Sequence, residues 1–324
     1  MLLEVKNLKT QFTYKSETIN AVDDISFHIK ENEVLALIGE SGSGKSVTAL
    51  SILGLISNSR NQSVTGEILF QGEDLFKKSK RELQDIRGNK ISIVFQEPMT
   101  SLNPAYSVGK QIGEVLVRHK NMSKKDAFEE AIKLLFSVGI PSPKERAKNY
   151  PHQLSGGQRQ RVMIAMALAC SPKLIIADEP TTALDVTIQA QILDLLLDIK
   201  EKFGTSVLII THDLSVVSEI ADRVAVMYCG NIVEEGTTKN LIENPKHPYT
   251  VGLIKCIPKI EDNVEMLYAI PGTVPNLSDM PKGCSFSTRC EKCLDICKNK
   301  KPDLIDYDGR KLRCFLYEQK KGVQ

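Results

Sequence analysis

The 324-residue chain has almost no excess of charge: 42 Lys and Arg stand against 40 Asp and Glu, a formal +2. So near a balance gives no case for a nucleic-acid binder, which gathers positive charge to meet phosphates, or for an acidic tail. A membrane-length apolar run is missing too. A span needs about 20 such residues, and the longest run here, Val162 to Cys170, has nine and reads as a buried helix. Met1-Leu2-Leu3-Glu4-Val5-Lys6 reads as a short strand and lacks the shape of a secretory signal, so a cytosolic location is expected. There is no internal repeat, no low-complexity stretch and no sustained heptad. The eight cysteines form no paired Cys-x-x-Cys zinc ribbon, and in a reducing compartment they are expected as thiols or metal ligands, not disulfides. The length supports a large core and about two domains.

What is present begins with Gly39-Glu40-Ser41-Gly42-Ser43-Gly44-Lys45-Ser46, which matches the phosphate-binding pattern G-x-x-x-x-G-K-[ST]. Val34 to Ile38 before it reads as a buried strand, and Val47 to Ile56 after it as a helix, the context the pattern needs. Glycines let successive backbone N–H groups turn toward one anion, and the helix N-terminus aims about half a positive charge at the same place. The candidate nucleotide contacts are Ser41, Gly42, Ser43, Gly44, Lys45, Ser46 and Val47. Lys45 is expected to reach the β- and γ-phosphates and the Ser46 hydroxyl to hold Mg²⁺.

Short apolar runs over residues 1–38 and at 64–70 and 91–96 read as strands, and the periodicity turns helical from about 106 to 151. Buried strands then alternate with helices: Leu174–Ala177, Ile188–Phe203, Val207–Ile210 and Leu214–Ala221. Val224–Met227 and Ile232–Gly236 read as a hairpin around Cys229-Gly230-Asn231. The alternation predicts an α/β fold with a parallel sheet covered on both faces. After about 240, prolines and cysteines accumulate, and the remainder reads as a small appended unit.

Leu174-Ile175-Ile176-Ala177-Asp178-Glu179 is an apolar strand ending in two carboxylates. Asp178 fits a second, water-mediated hold on Mg²⁺, and Glu179, pointing differently, can orient and polarise an attacking water. Leu154-Ser155-Gly156-Gly157-Gln158 opens a helix starting near Arg159 and is a second helix-start anion site. One nucleotide does not need two such cradles, so this one is expected to serve a nucleotide bound to another subunit.

Leu154–Gln158 resembles the signature of ATP-binding cassette (ABC) ATPases, and the three motifs stand in that family's order and spacing over about residues 1–240. The resemblance implies a P-loop, RecA-like ATPase core with an antiparallel β subdomain and a helical subdomain at about 100–160, followed by a cysteine-rich C-terminal extension at 241–324. It implies ATP and Mg²⁺ as ligands. Gln96 resembles the glutamine that touches Mg²⁺ and the attacking water, and Ala183-Leu184-Asp185 the loop that crosses to a partner site. His212 resembles the switch histidine at the γ-phosphate, and Phe12 the ring stacked on adenine, with Tyr14 as its rival. Ser155, Gly157 and Gln158 would face the partner's nucleotide. Since Glu179 and Leu154–Gln158 are intact, a competent hydrolytic half-site is expected.

Phe95 to Pro104 and His247-Pro248-Tyr249-Thr250 are similar to segments of peptide and nickel importers. The resemblance implies an ATP-binding subunit of a dipeptide/oligopeptide importer. Its implied partners are a second ATPase subunit, two membrane permeases and an extracytoplasmic peptide-binding protein, with the chain peripheral on the cytoplasmic face. A nickel importer is the alternative; a soluble ABC protein acting on nucleic acid and a redox-sensing iron–sulfur protein are remoter ones. Cys284, Cys290, Cys297 and Cys314 resemble four cysteine places that hold a [4Fe–4S] cluster in the peptide-importer extension, although four thiolates also suit Zn²⁺ and Cys293 could replace a neighbour.

Overall fold

The structure, a computed structural model, describes residues 1–15, 17–56, 58–182, 184–257 and 268–318. Ala183 of the expected partner-crossing loop lies outside the described residues. The chain divides into two compact units: Met1–Leu2, Ile29–Val34 and Lys77–Ile210 form one, and Leu3–His28, Leu35–Phe76 and Thr211–Gln324 the other.

The first unit contains three strands in parallel, Ile91–Val94, Leu174–Asp178 and Ser206–Thr211, with Ile91 opposite Leu174 and Leu174 opposite Ser206. The second and third are buried at every residue, as strands covered on both faces must be. Four helices of eight or more residues accompany them: Val108–Lys120, Lys124–Ser137, Gly156–Leu168 and Val186–Phe203. The last three start at short polar side chains that accept the otherwise unpaired first amides. Ser123 Oγ takes Asp126 N at 3.2 Å, and Asp185 Oδ1 takes Ile188 N at 2.9 Å. Val186–Phe203 turns one face inward through Ile192, Leu193, Leu196 and Ile199 and stops at Gly204, whose φ of +61° suits a residue without Cβ.

The second unit holds an antiparallel sheet in which Leu3–Tyr14 lies between Glu17–Ile29 and Gln62–Phe70. It also holds a mixed run of strands. Val34–Ile38 pairs in parallel with Arg223–Tyr228, placing Leu35 opposite Arg223. Arg223–Tyr228 then turns back through Cys229 and Gly230 into Asn231–Thr237. Both turn residues have positive φ, +42° and +78°, as the tight hairpin connection that matches strand twist demands. This hairpin is as the sequence reading expects.

The proline- and cysteine-rich tail continues that second run of strands. Arg310–Leu312 pairs antiparallel with Asn231–Thr237, Glu234 opposite Leu312, and Ile305–Tyr307 pairs with Arg310–Leu312 in turn. Three-residue strands carry too little periodicity to be read from sequence.

Beneath this pairing lies a buried polar knot. Glu234, 0% exposed, accepts from Arg310 Nη1 at 3.1 Å, from Lys246 N at 3.0 Å and from His247 N at 2.8 Å. His247 Nδ1 accepts from Tyr249 N at 3.1 Å, which caps the helix Pro248–Lys255. Burial pulls the His247 pKa down to about 3. In the unfolded chain an imidazole titrates near about 6.5. Between those values the unfolded state binds a proton that the folded state does not, so this group removes stability as pH falls through about 6.5 toward about 3. His247→Asn keeps a capping oxygen and removes the titration. The stability gap between parent and H247N in thermal melts is expected to narrow or reverse between about pH 7.5 and about pH 5; a gap independent of pH would show that the ring titrates alike in the folded and unfolded chains and that burial does not depress it.

Candidate functional site

In the second unit, the buried strand Val34–Ile38 delivers the chain into the glycine loop, and the helix Lys45–Ile52 carries it away. Two glycines are there for space. A Cβ on Gly39 would lie 2.1 Å from the Met227 carbonyl oxygen, and one on Gly44 would lie 2.2 Å from that of Ala21. Gly44 also has a φ of +101°. Lys45, 5% exposed, is drawn under the loop: Nζ donates to Gly39 O at 2.7 Å, to Glu40 O at 3.0 Å and to Ser43 Oγ at 3.5 Å. Gly230 N, at the hairpin turn, donates to Ser43 O at 2.9 Å. The helix has no side-chain cap, as suits an N-terminus that receives an anion. Backbone amides and one cation are thus gathered around one loop, a set of residues that fits a nucleoside triphosphate.

Phe12 is half-buried on Leu3–Tyr14 opposite Gln62, whereas Tyr14 is 69% exposed with Lys15 Nζ 5.4 Å from its ring centre. His212 is exposed between buried Thr211 and Asp213, which caps the helix Leu214–Ile220 by accepting from Ser215 N at 2.8 Å.

In the first unit, Asp178 ends its strand at 6% exposure. Glu179 follows in the left-handed region, φ +46°, so its side chain leaves the strand's alternation. Its N–H donates to Ile210 O at 2.8 Å. Its carboxylate oxygen Oε2 accepts from Gln96 Nε2 at 2.9 Å and from Thr182 Oγ1 at 2.9 Å. Two residues singled out 83 positions apart thus meet. Thr182 escapes a sequence reading, since nothing in a polar turn marks one threonine as the partner of a carboxylate.

The signature helix begins at Gly156, three residues before the expected Arg159. Ser155 is the cap: its Oγ accepts from Gln158 N at 3.3 Å, and Gln158 Oε1 accepts from Ser155 N at 3.2 Å. This reciprocal box engages the Gln158 side chain with its own helix start. A Cβ on Gly157 would come 2.8 Å from Ile188 Cγ2, so glycine is required for the helix to approach Val186–Phe203.

The cysteines depart from expectation. Among the described residues, no group of three or more His, Cys, Asp or Glu is arranged to hold a metal ion. Cys284 and Cys297 are joined through backbone, Cys284 N to Cys297 O at 2.8 Å, and Cys293 Sγ is turned to its neighbour's carbonyl, Leu294 O, at 3.5 Å. Burial first, and then the neighbouring thiols, push Cys314 up to about 12 and Cys284 up to about 11. Metal ligation needs converged thiolates, and burial favours the thiol form at Cys284, Cys290 and Cys314. Among the described residues no metal-holding group supports the expected [4Fe–4S] cluster at Cys284, Cys290, Cys297 and Cys314, or Zn²⁺ in its place.

No described helix is long and apolar enough to cross a membrane. Residues 22–182 match the ABC transporter family, and residues 233–297 match the oligopeptide/dipeptide transporter C-terminal region. The chain is 54% identical over 324 residues to the oligopeptide transport ATP-binding protein AppD of Bacillus subtilis, covering 100% of this chain and 99% of that one. It is 47% identical over 315 residues to the oligopeptide transport ATP-binding protein OppD of Salmonella typhimurium, covering 97% and 93%. Among solved structures, the ATP-binding cassette MJ0796, dimeric and bound to ADP and Pi, superposes with a TM-score of 0.66 at 31% identity, covering 73% of this chain and 98% of that one. With its glycine cradle, its strand-end carboxylates and its signature helix in place, the chain belongs to the ABC transporter ATP-binding family, in the branch that carries the oligopeptide/dipeptide transporter C-terminal region.

Proposed function

We propose that the chain hydrolyses ATP to drive import of dipeptides or oligopeptides, as the nucleotide-binding subunit of an ABC importer. The observation that carries the proposal is Lys45 held under a glycine loop by three oxygens of that loop. What supports the cargo class is the match of residues 233–297 and the names of the full-length relatives; neither a nickel importer nor an ABC protein acting on nucleic acid is favoured by them.

Residues Ser41 to Val47 receive the phosphates, and Phe12 stacks on the adenine. Ser46, Asp178 and Gln96 are the residues that would hold Mg²⁺, which would supply charge neutralisation for the phosphates. Glu179 takes the proton of the attacking water, with Gln96 and Thr182 fixing the carboxylate, and His212 contacts the γ-phosphate. Ser155, Gly157 and Gln158 serve the nucleotide of a second ATPase subunit, so that two ATPs close the pair and hydrolysis reopens it. Two membrane permeases convert this cycle into alternating access, and an extracytoplasmic binding protein delivers the peptide. The chain works from the cytoplasmic face as a peripheral subunit, with residues 1–240 as the nucleotide-binding domain and 241–324 as the extension. No step passes through a metal at the cysteines.

Titration with Mg-ATP tests this. The parent is expected to bind saturably and to form nucleotide-dependent pairs, and Lys45→Ala is expected to weaken binding by at least about 100-fold, the loss of a buried cation from a phosphate site. Unchanged affinity in K45A would overturn the assignment.

A further inference from the structure

Glu40, the second residue of the glycine loop, is bound on three sides. Its carbonyl accepts from Lys45 Nζ at 3.0 Å. Its N–H donates to the Tyr249 hydroxyl at 2.9 Å. Its carboxylate receives both arms of Arg289, Nη1 to Oε2 at 2.7 Å and Nη2 to Oε1 at 3.2 Å. Tyr249 and Arg289 come from the peptide-transporter segment, 209 and 249 positions away.

Both are fixed before they reach the loop. Tyr249 is 0% exposed and packs on Tyr228 and Phe286, with ring centres 4.6 and 5.4 Å away. Arg289, 8% exposed, donates Nε to Pro271 O at 3.0 Å and lies over the rings of Tyr228 and Phe286. Burial works against its charge, and the Glu40 carboxylate outweighs that, so the guanidinium pKa is raised and the group stays charged.

A carboxylate inside a polyphosphate cradle is a liability, because it opposes the ligand's charge and competes for Lys45. Planar, bidentate arginine is the side chain best suited to cancel it and set its direction at once. We propose that Arg289 and Tyr249 are positioning residues of the nucleotide site: Tyr249 sets the main chain of Glu40, and Arg289 neutralises its carboxylate, so that the loop meets a polyphosphate preformed and unopposed. The C-terminal segment thereby acts on nucleotide affinity without touching nucleotide. This rests on the ATP-binding reading above.

The test is displacement of a fluorescent ATP analogue by Mg-ATP on the full chain, with a thermal melt of each variant. R289A is expected to raise Kd about tenfold at low salt, with the penalty shrinking as ionic strength rises. E40Q/R289A, which removes the opposing charge as well, is expected to recover to within about threefold of E40Q. Arg313, buried further along the C-terminal extension, donates to Ile232 O and Pro302 O; R313A should lower the melting temperature and leave Kd unchanged. Should R289A fail to fold, R289K and Y249F replace it, each with a smaller rise in Kd. Parental affinity in the Arg289 variants, a double variant as weak as R289A, or an equal loss in R313A would overturn the inference. A parent that does not bind Mg-ATP at all fails earlier, at the ATP reading itself.

Discussion

Exchanging Glu179 for Gln is expected to cut ATP hydrolysis by about 10²–10⁴-fold, the range a positioned general base supplies, while ATP still binds and paired chains accumulate. The geometry separates the two outcomes. Glu179 Oε2 accepts from Gln96 and Thr182, both at 2.9 Å, and the carbonyl oxygen of a glutamine can accept the same two bonds. What the amide cannot do is take a proton from water. The residue stays in place at φ +46°, since glutamine meets the same backbone as glutamate there. Nucleotide retention depends on Lys45 and the glycine loop, which E179Q leaves intact. Single-turnover hydrolysis and size-exclusion chromatography with Mg-ATP check this. Hydrolysis within about threefold of the parent would remove Glu179 from the role of base.

The largest loss of stability is expected from Arg310→Leu. Arg310 and Glu234 have side-chain exposures of 2% and 0%, and Arg310 Nη1 reaches Glu234 Oε1 at 3.1 Å. The same arm donates to Asn240 O at 3.3 Å and Asn244 O at 2.7 Å. There it meets the carbonyl end of the helix Thr238–Glu243, where a cation is favoured. Leucine leaves the Glu234 carboxylate in the interior with the Lys246 and His247 amides and no compensating cation. Breaking one side of such a pair costs about 3–5 kcal/mol. Removing both charges in E234M/R310L is expected to recover most of that, because the penalty belongs to the stranded ion and not to the lost attraction. Melts of the parent, R310L and the double variant decide it. A double variant less stable than R310L would mean that Glu234 contributes chiefly through the Lys246 and His247 amides.

The legible part of the molecule was the part whose chemistry sits in contiguous residues. Gly39–Ser46 carries its own geometry, because small residues and one lysine at fixed spacing leave the backbone few ways to fold around an anion. Leu174–Glu179 was legible for a similar reason: an apolar run of four residues is too short for a buried helix and fits a covered strand, whose polar end then falls at the sheet's edge. The start of the signature helix was misjudged by three residues because the Ser155–Gln158 box engages both glycines in the first turn, and glycine propensity alone argues for delaying a helix.

Contacts set by distant partners were not legible. No local signal joins Gln96 to Glu179 across 83 positions, or Arg289 to Glu40 across 249. The cysteine spacing carries no support from the fold, because sequence counts thiols and cannot say whether their sulfurs converge, and no metal-holding group is found among the described residues. By itself, then, the sequence determined which backbone cradle forms and which carboxylates end which strands, since local sterics and apolar periodicity act within a few residues. Only the tertiary structure decided which charges are cancelled, because Coulomb energy depends on distance in space, and the chain order does not contain it.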